Sequence, residues 1–162
     1  MKKTLKWTGI TILVLGFGIQ LRQPDRSNPA VDESKTMFTS LGVPPEVKST
    51  LERACNDCHS NHTKWPWYGY IAPASWLVAD DVKKGRQKLN FSTWADYKKN
   101  RKVNRLEEIG DQIKDKEMPL KKYLLLHPSA QLSASDIELI TQWAEKEHGR
   151  LAEPDSAEGE KN

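Results

Sequence analysis

Cys55-Asn56-Asp57-Cys58-His59 is the stretch on which the reading of this chain turns. Two cysteines separated by two residues, with a histidine directly after the second, form the C-x-x-C-H spacing at which a c-type haem is attached. The spacing has a chemical reason. Thiols this far apart reach the two vinyl groups on one edge of a porphyrin, and the adjacent His59 is then held under the iron as the proximal imidazole. Covalent attachment keeps the cofactor in place whatever the oxidation state of the iron. A chance match in a chain of this length is on the order of one in a thousand, so the motif carries weight. Two other readings of the same residues stand beside it. The cysteines read as a thioredoxin-like disulfide pair, but that motif needs a βαβ surrounding that the chain lacks. They also read as zinc ligands with His59 and His62, but a structural zinc site draws on separated segments and there is no second pair of cysteines.

The iron needs a sixth ligand. Met118, in Glu117-Met118-Pro119, follows an amphipathic stretch, and a thioether there gives His/Met ligation and raises the haem potential. The bland reading of Met118 is core filling. His127, in Leu126-His127-Pro128, is the rival ligand. His62 lies too near His59 in sequence to reach the opposite haem face, and His148 suits the C-terminus of the last helix.

Around the motif the chain is rich in aromatics: Trp65-Pro66-Trp67-Tyr68-Gly69-Tyr70, then Trp76 and Trp94. Trp65 and Trp67 are expected to wall a porphyrin and hydrogen-bond its propionates. The simpler reading is a small aromatic core. The two coincide if the haem itself is core, since several hundred Å² of buried porphyrin contributes on the order of 10 kcal/mol of gross burial energy. Residues 83–105 hold nine basic side chains against Asp96 alone. A solvated face is the common reason for such a run, and anionic lipid, an acidic redox partner or haem propionates are the others. Arg86 is the member expected beside a propionate.

Composition bounds the rest. The chain has 162 residues, Lys+Arg 25 against Asp+Glu 22, and 37% hydrophobic residues. Mean hydropathy is −0.71, which excludes a polytopic membrane protein. Two cysteines exclude a multi-disulfide scaffold. Residues 1–21 begin with Lys2, Lys3 and Lys6 and continue as an uncharged run from Trp7 to Leu21, the pattern of a signal anchor or signal peptide. An uncleaved anchor predicts a single-pass protein with everything from Arg22 onward outside the cytoplasmic membrane; cleavage predicts a periplasmic protein. Residues 22–45 read as a Pro-rich tether and 150–162 as a disordered acidic tail. That leaves 46–149 as the haem-binding domain.

Within it the apolar spacing is helical throughout. Val47, Leu51 and Ala54 mark one helix, and Leu77, Val78 and Val82 a second over Trp76–Arg86. Leu106, Ile109 and Ile113 mark another, and Ile137, Ile140 and Ala144 the last. Ser92 is read as the cap of a short helix, and Ser135-Asp136-Ile137-Glu138 as a capping box. The fold class expected is all-α.

Longer strings carry a resemblance. Cys-Asn-Asp-Cys-His-Ser-Asn-His-Thr-Lys-Trp-Pro-Trp-Tyr (55–68), Ile-Ala-Pro-Ala-Ser-Trp-Leu-Val (71–78), Gly-Arg-Gln-Lys-Leu-Asn-Phe-Ser-Thr-Trp (85–94) and Glu-Met-Pro-Leu-Lys-Lys-Tyr-Leu-Leu-Leu-His-Pro (117–128) are similar to the bacterial haem-binding-domain family. These are small, mostly membrane-tethered c-type cytochrome-like proteins, and the likeness spans roughly residues 45–147. It implies one covalently attached haem c, Cys55 and Cys58 as attachment thiols, His59 as proximal ligand and Met118 as distal ligand. It also implies a cytochrome-c-like helical module in which the helix before Cys55 packs across the last helix. The function expected is a single-haem electron carrier serving redox partner proteins, with no catalysis of its own and no nucleic acid bound. The alternative is a haem-based sensor or peroxidase-like enzyme with a labile sixth ligand. No acid–base pair lies beside the motif to support the enzyme.

Overall fold

The chain turns sharply at Cys55, and the rest of the fold is arranged about that turn. In a computed structural model describing residues 2–153, α3 (Pro45–Ala54) ends at Cys55 and the single turn α4 (Asn56–His59) starts there. Before them come α1 (Lys2–Gln20) and α2 (Met37–Leu41). After them come α5 (Ala74–Lys88), α6 (Lys99–Lys114), the short α7 (Lys121–Leu124) and α8 (Ala134–Ala152). The connections contain 3-10 turns at Glu33–Lys35, Trp67–Tyr70, Phe91–Asp96 and Pro128–Ala130. No strand occurs among the described residues, so the fold is all-α.

Apolar periodicity explains the core. Val47, Leu51 and Ala54 of α3 face Ile140, Trp143 and Ala144 of α8, and Leu106, Ile109 and Ile113 of α6 close the same cluster. Leu89, Phe91 and Trp94 enter it from the connection between α5 and α6. Arg53 ties α3 to the start of α8. It donates to the carbonyls of Ser129 and Gln131 and to Asp136 Oδ2 at 3.0 Å. Asp136 also closes the capping box of α8 with Ser133, not the Ser135–Glu138 pair expected from sequence. Both registers fit the S-x-x-acid pattern; the one that occurs lets Arg53 hold the acid.

Several further expectations are corrected. The stretch 22–45 is not a free tether throughout. Thr36 caps α2, Gly42 turns its end in the left-handed conformation (φ 58), and Met37 is 0% exposed in the core beside Val43. Ser92 caps no helix; Asn90 caps the 3-10 turn there, its side chain accepting from the Ser92 amide. α8 runs on to Ala152, because Leu151 packs on the core and Arg150 pairs with the buried Glu147. The acidic residues 154–162 lie outside the described residues.

The anchor is the largest correction. α1 is helical, but no helix among the described residues is long and apolar enough to cross a membrane. This overturns the single-pass, outer-face placement. Lys3 and Lys6 occupy its first turns, and Thr8, Gly9, Thr11, Gly16 and Gly18 dilute the remainder of the helix. The run from Trp7 to Ile19 rises only about 20 Å at 1.5 Å per residue, against roughly 30 Å of hydrocarbon.

Candidate haem site

α4 brings the motif together within one turn. The amides of Cys58 and His59 both donate to the Cys55 carbonyl, at 3.2 and 2.9 Å. Cys55 and Cys58 stand three residues apart, which puts them on one side of the turn. Both are free thiols. Burial pushes each thiol up to about 12, with the Cys58 charge adding to it at Cys55 and Asp81 and Asp57 at Cys58. A thiol raised in this way is a poor nucleophile, so this environment does not suit thioredoxin-like exchange. No cluster of three or more His, Cys, Asp or Glu residues able to hold a metal ion occurs among the described residues. His62 points elsewhere, its Nε2 3.4 Å from Glu33 Oε1.

His59 is fixed in one tautomer. Its Nδ1 lies 3.0 Å from the Leu89 carbonyl, and a carbonyl only accepts, so Nδ1 carries the proton. Burial holds the ring below the usual histidine range, against the carbonyls of Leu89 and Gly85, which favour the charged form. A neutral ring protonated at Nδ1 has its lone pair on Nε2, the state in which histidine binds a metal. Phe91 flanks the imidazole with ring centroids 6.1 Å apart.

α5 supports this turn at contact distance. A Cβ at Gly85 would lie 2.5 Å from the Cys58 carbonyl oxygen and 3.1 Å from Cys58 Cβ. Only glycine lets the two backbones approach so closely. The neighbouring Arg86 grips the loop after the motif. Its Nε donates to the Ser60 carbonyl at 2.8 Å, and its terminal nitrogens donate to the Ser27 carbonyl, Asn28 Oδ1 and Thr63 Oγ1. Sequence places Arg86 beside a propionate; in the structure its guanidinium is engaged by the chain itself. The Asn28 amide in turn donates to the Thr63 carbonyl. Further along, Gln20 holds both the amide and the carbonyl of Ala72, Trp76 donates to the Arg22 carbonyl, and Arg26 lies over the Tyr70 ring at 4.5 Å. Residues 20–28 are therefore a strap across the aromatic loop.

The aromatic pair named from sequence divides. Trp65 is half-buried, and its Nε1 is shielded from water with no acceptor. Leaving such a donor unpaired costs about 1–3 kcal/mol, a cost that Trp94 and Trp143 in the core share. Trp67 is 72% exposed and packs edge-on against Tyr68, with centroids 5.7 Å apart.

Met118 is half-buried just beyond α6. That helix ends in a Schellman motif. Lys116 takes a left-handed conformation (φ 58), its amide donates to the Ile113 carbonyl, and the Glu117 amide donates to the Gln112 carbonyl. The Met118 amide shares the Gln112 carbonyl at 3.1 Å. From there the chain passes through α7 to the motif. Tyr123 Oη donates to Asp57 Oδ2 at 2.8 Å, and Lys122 pairs with Asp81 of α5. His127 stacks on the Tyr123 ring at 4.0 Å, its Nδ1–H donating to the Tyr123 carbonyl. Leu125 and Leu126 beside it are 82% and 59% exposed.

Sequence reasoning missed the Leu89 carbonyl, Gly85, Asp57 and Tyr123. Gly85 alone left a signal, since a glycine inside a helical pattern marks a close backbone approach.

The fit to haem thus rests on two free thiols and, directly after them, a histidine presenting Nε2. No curated protein and no solved structure matches the chain. Residues 14–146 match the family described as the haem-binding domain, a match that starts inside α1 and takes in the strap and every helix through most of α8. The chain belongs to the haem-binding-domain family.

Proposed function

We propose that this haem-binding protein carries a single haem c, attached through Cys55 and Cys58, ligated by His59 and Met118, and works as a one-electron carrier. The observation that carries the reading is the hydrogen bond from His59 Nδ1 to the Leu89 carbonyl. It sets the ring so that Nε2 is the ligating atom, directly after two thiols with no other partner. The haem supplies a one-electron iron couple. The protein's part is to hold that group still and dry. Gly85 keeps α5 against α4, Arg86 fixes the loop after His59, and Trp65 offers its Nε1 to a propionate. The packing of α3 across α8 supports a cytochrome-c-like arrangement. Met118 is favoured over His127 because the His127 ring is packed between two phenols, stacked on Tyr123 and edge-on to Tyr68. The carboxylate within the motif, Asp57, is taken up by the Lys64 amide and Tyr123, which favours a carrier over a peroxidase-like enzyme.

Absorption spectra of the full chain, produced in a host that attaches haem, test this. A low-spin spectrum with a methionine–iron band, unchanged by carbon monoxide after reduction, is expected, and the haem should stay with the polypeptide under denaturing conditions. Cys58→Ala should weaken that attachment, and Met118→Ala should abolish the band and lower the potential. A high-spin spectrum or ready carbon monoxide binding in the parent would replace the carrier with a sensor or enzyme. A chain without attached haem would sink the reading altogether.

A further inference from the structure

The two variable residues of a C-x-x-C-H motif are ordinarily spacers. Here the second, Asp57, joins three segments. Its Oδ1 accepts from the Lys64 amide at 3.0 Å, which closes the loop after the motif. Its backbone carbonyl accepts from Thr63 Oγ1 at 2.6 Å. Its Oδ2 accepts from Tyr123 Oη at 2.8 Å, which brings in the segment that follows Met118. Burial and the Asp57 carboxylate push the Tyr123 phenol up, so Tyr123 keeps its proton and remains the donor.

The segment 117–127 has few other holds, one of them the edge-on contact of His127 with Tyr68, whose Oη lies 3.4 Å from His127 Nδ1. At its start the Schellman turn fixes the Met118 amide to the Gln112 carbonyl. At its far end Leu125 and Leu126 are exposed. Between them, the Lys122–Asp81 ion pair has a lysine side chain 57% exposed, and such pairs contribute about 0–1 kcal/mol. The Tyr123–Asp57 bond is half-buried and has a charged acceptor, which makes it roughly twice as strong as a neutral one. His127 lies flat on the Tyr123 ring and braces it.

We propose that Tyr123 and Asp57 form a latch that holds the Met118 segment against the haem motif, making both positioning residues for the sixth ligand. The role as ligand positioners rests on the His59/Met118 reading above; the latch itself does not. With the latch intact, Met118 is tied at both ends, through Gln112 before it and Tyr123 after it. With the latch broken, Met118 remains in the chain but its segment swings from the end of α6.

The test compares the haem-loaded full chain with Tyr123→Phe and Asp57→Asn. Amide hydrogen exchange is followed at Tyr123, Leu124, Leu126 and His127, whose amides donate within the segment. Cyanide binding to the ferric form is timed in parallel. In Tyr123→Phe those amides should exchange about tenfold faster while Ile109 and Ile113 in the core are unchanged. Cyanide should bind about tenfold faster, with the methionine–iron band still present. Asp57→Asn retains an oxygen acceptor but cannot serve Lys64 and Tyr123 equally, so it should fall between. It decides the matter if Tyr123→Phe fails to fold. Exchange within about twofold of the parent in both variants would overturn the latch. Faster exchange with unchanged cyanide binding would overturn the ligand-positioning role. A parent lacking the methionine–iron band would instead overturn Met118 ligation, while the exchange data still decide the latch.

Discussion

The two sides of the motif are built by different means. On the His59 side, α4 and α5 meet backbone to backbone at Cys58 and Gly85, a carbonyl fixes the imidazole, and Arg86 donates four hydrogen bonds. On the Met118 side, one turn of helix is held by one phenol–carboxylate bond, one exposed ion pair and the contact of His127 with Tyr68. Close-packed backbone leaves no alternative arrangement, whereas a segment on a few side-chain bonds opens locally at low cost. Under the proposed His59/Met118 ligation, the division would leave one ligand fixed and the other free to set the potential.

The sharpest way to break this contrast is Gly85→Ala. The added Cβ meets backbone, not a flexible side chain, so α4 and α5 must separate. A loss of about 3 kcal/mol in denaturant unfolding is expected, where an ordinary Gly→Ala change inside a helix stabilises. Arg86→Ala comes next. It strips donors from Ser60, Ser27, Asn28 and Thr63 and should cost about 2 kcal/mol. Arg86→Lys should recover little, because an ammonium cannot serve that fork of acceptors.

Acid sharpens the contrast through His59. Burial lowers its folded-state value below the ordinary 6.5, so below that pH the unfolded chain binds the extra proton and the folded chain does not. Stability is therefore full above about pH 6.5 and falls as the pH is lowered through it. Urea midpoints of the chain without haem should drop between pH 7 and 5. His59→Gln should flatten that dependence. The smallest effect is on the other side, and of opposite sign. Lys116→Gly relieves a left-handed residue in the Schellman turn before Met118 and should raise stability by about 0.5 kcal/mol, read from the thermal midpoint.

The kind of interaction decides how much of this is legible in the sequence. α3, α5, α6 and α8 carry apolar residues at helical spacing, so each shows itself through Val47, Val82, Leu106 or Ile140 and their neighbours. The Cys55–His59 motif stands out in the sequence because its spacing of two cysteines and a histidine is distinctive. Met37 is hidden. It is one buried side chain among Pro24, Pro29, Pro44 and Pro45, with no period to announce it. The acceptor for His59 is hidden too, because any residue has a carbonyl and Leu89 lies 30 positions away. Arg86 looks like a charge awaiting an anion, and its acceptors are mostly backbone or uncharged oxygens that sequence does not mark. α1 resembles an anchor because composition alone does not weigh its threonines and glycines against the thickness to be crossed.

The strap of residues 20–28 has a consequence for the chain's length. Gln20 engages both the N–H and the carbonyl of Ala72 as a neighbouring strand would, and Asn28 is pinned to Arg86 and Thr63. The seven residues between these two fixed points work as a ruler. Inserting or deleting one would put Arg22 and Ser27 out of phase with Trp76 and Arg86, however well the altered stretch suited a loop. A Pro-containing stretch that looks open to insertion thus has its count written into the fold, and α1 leaves the domain in a set direction.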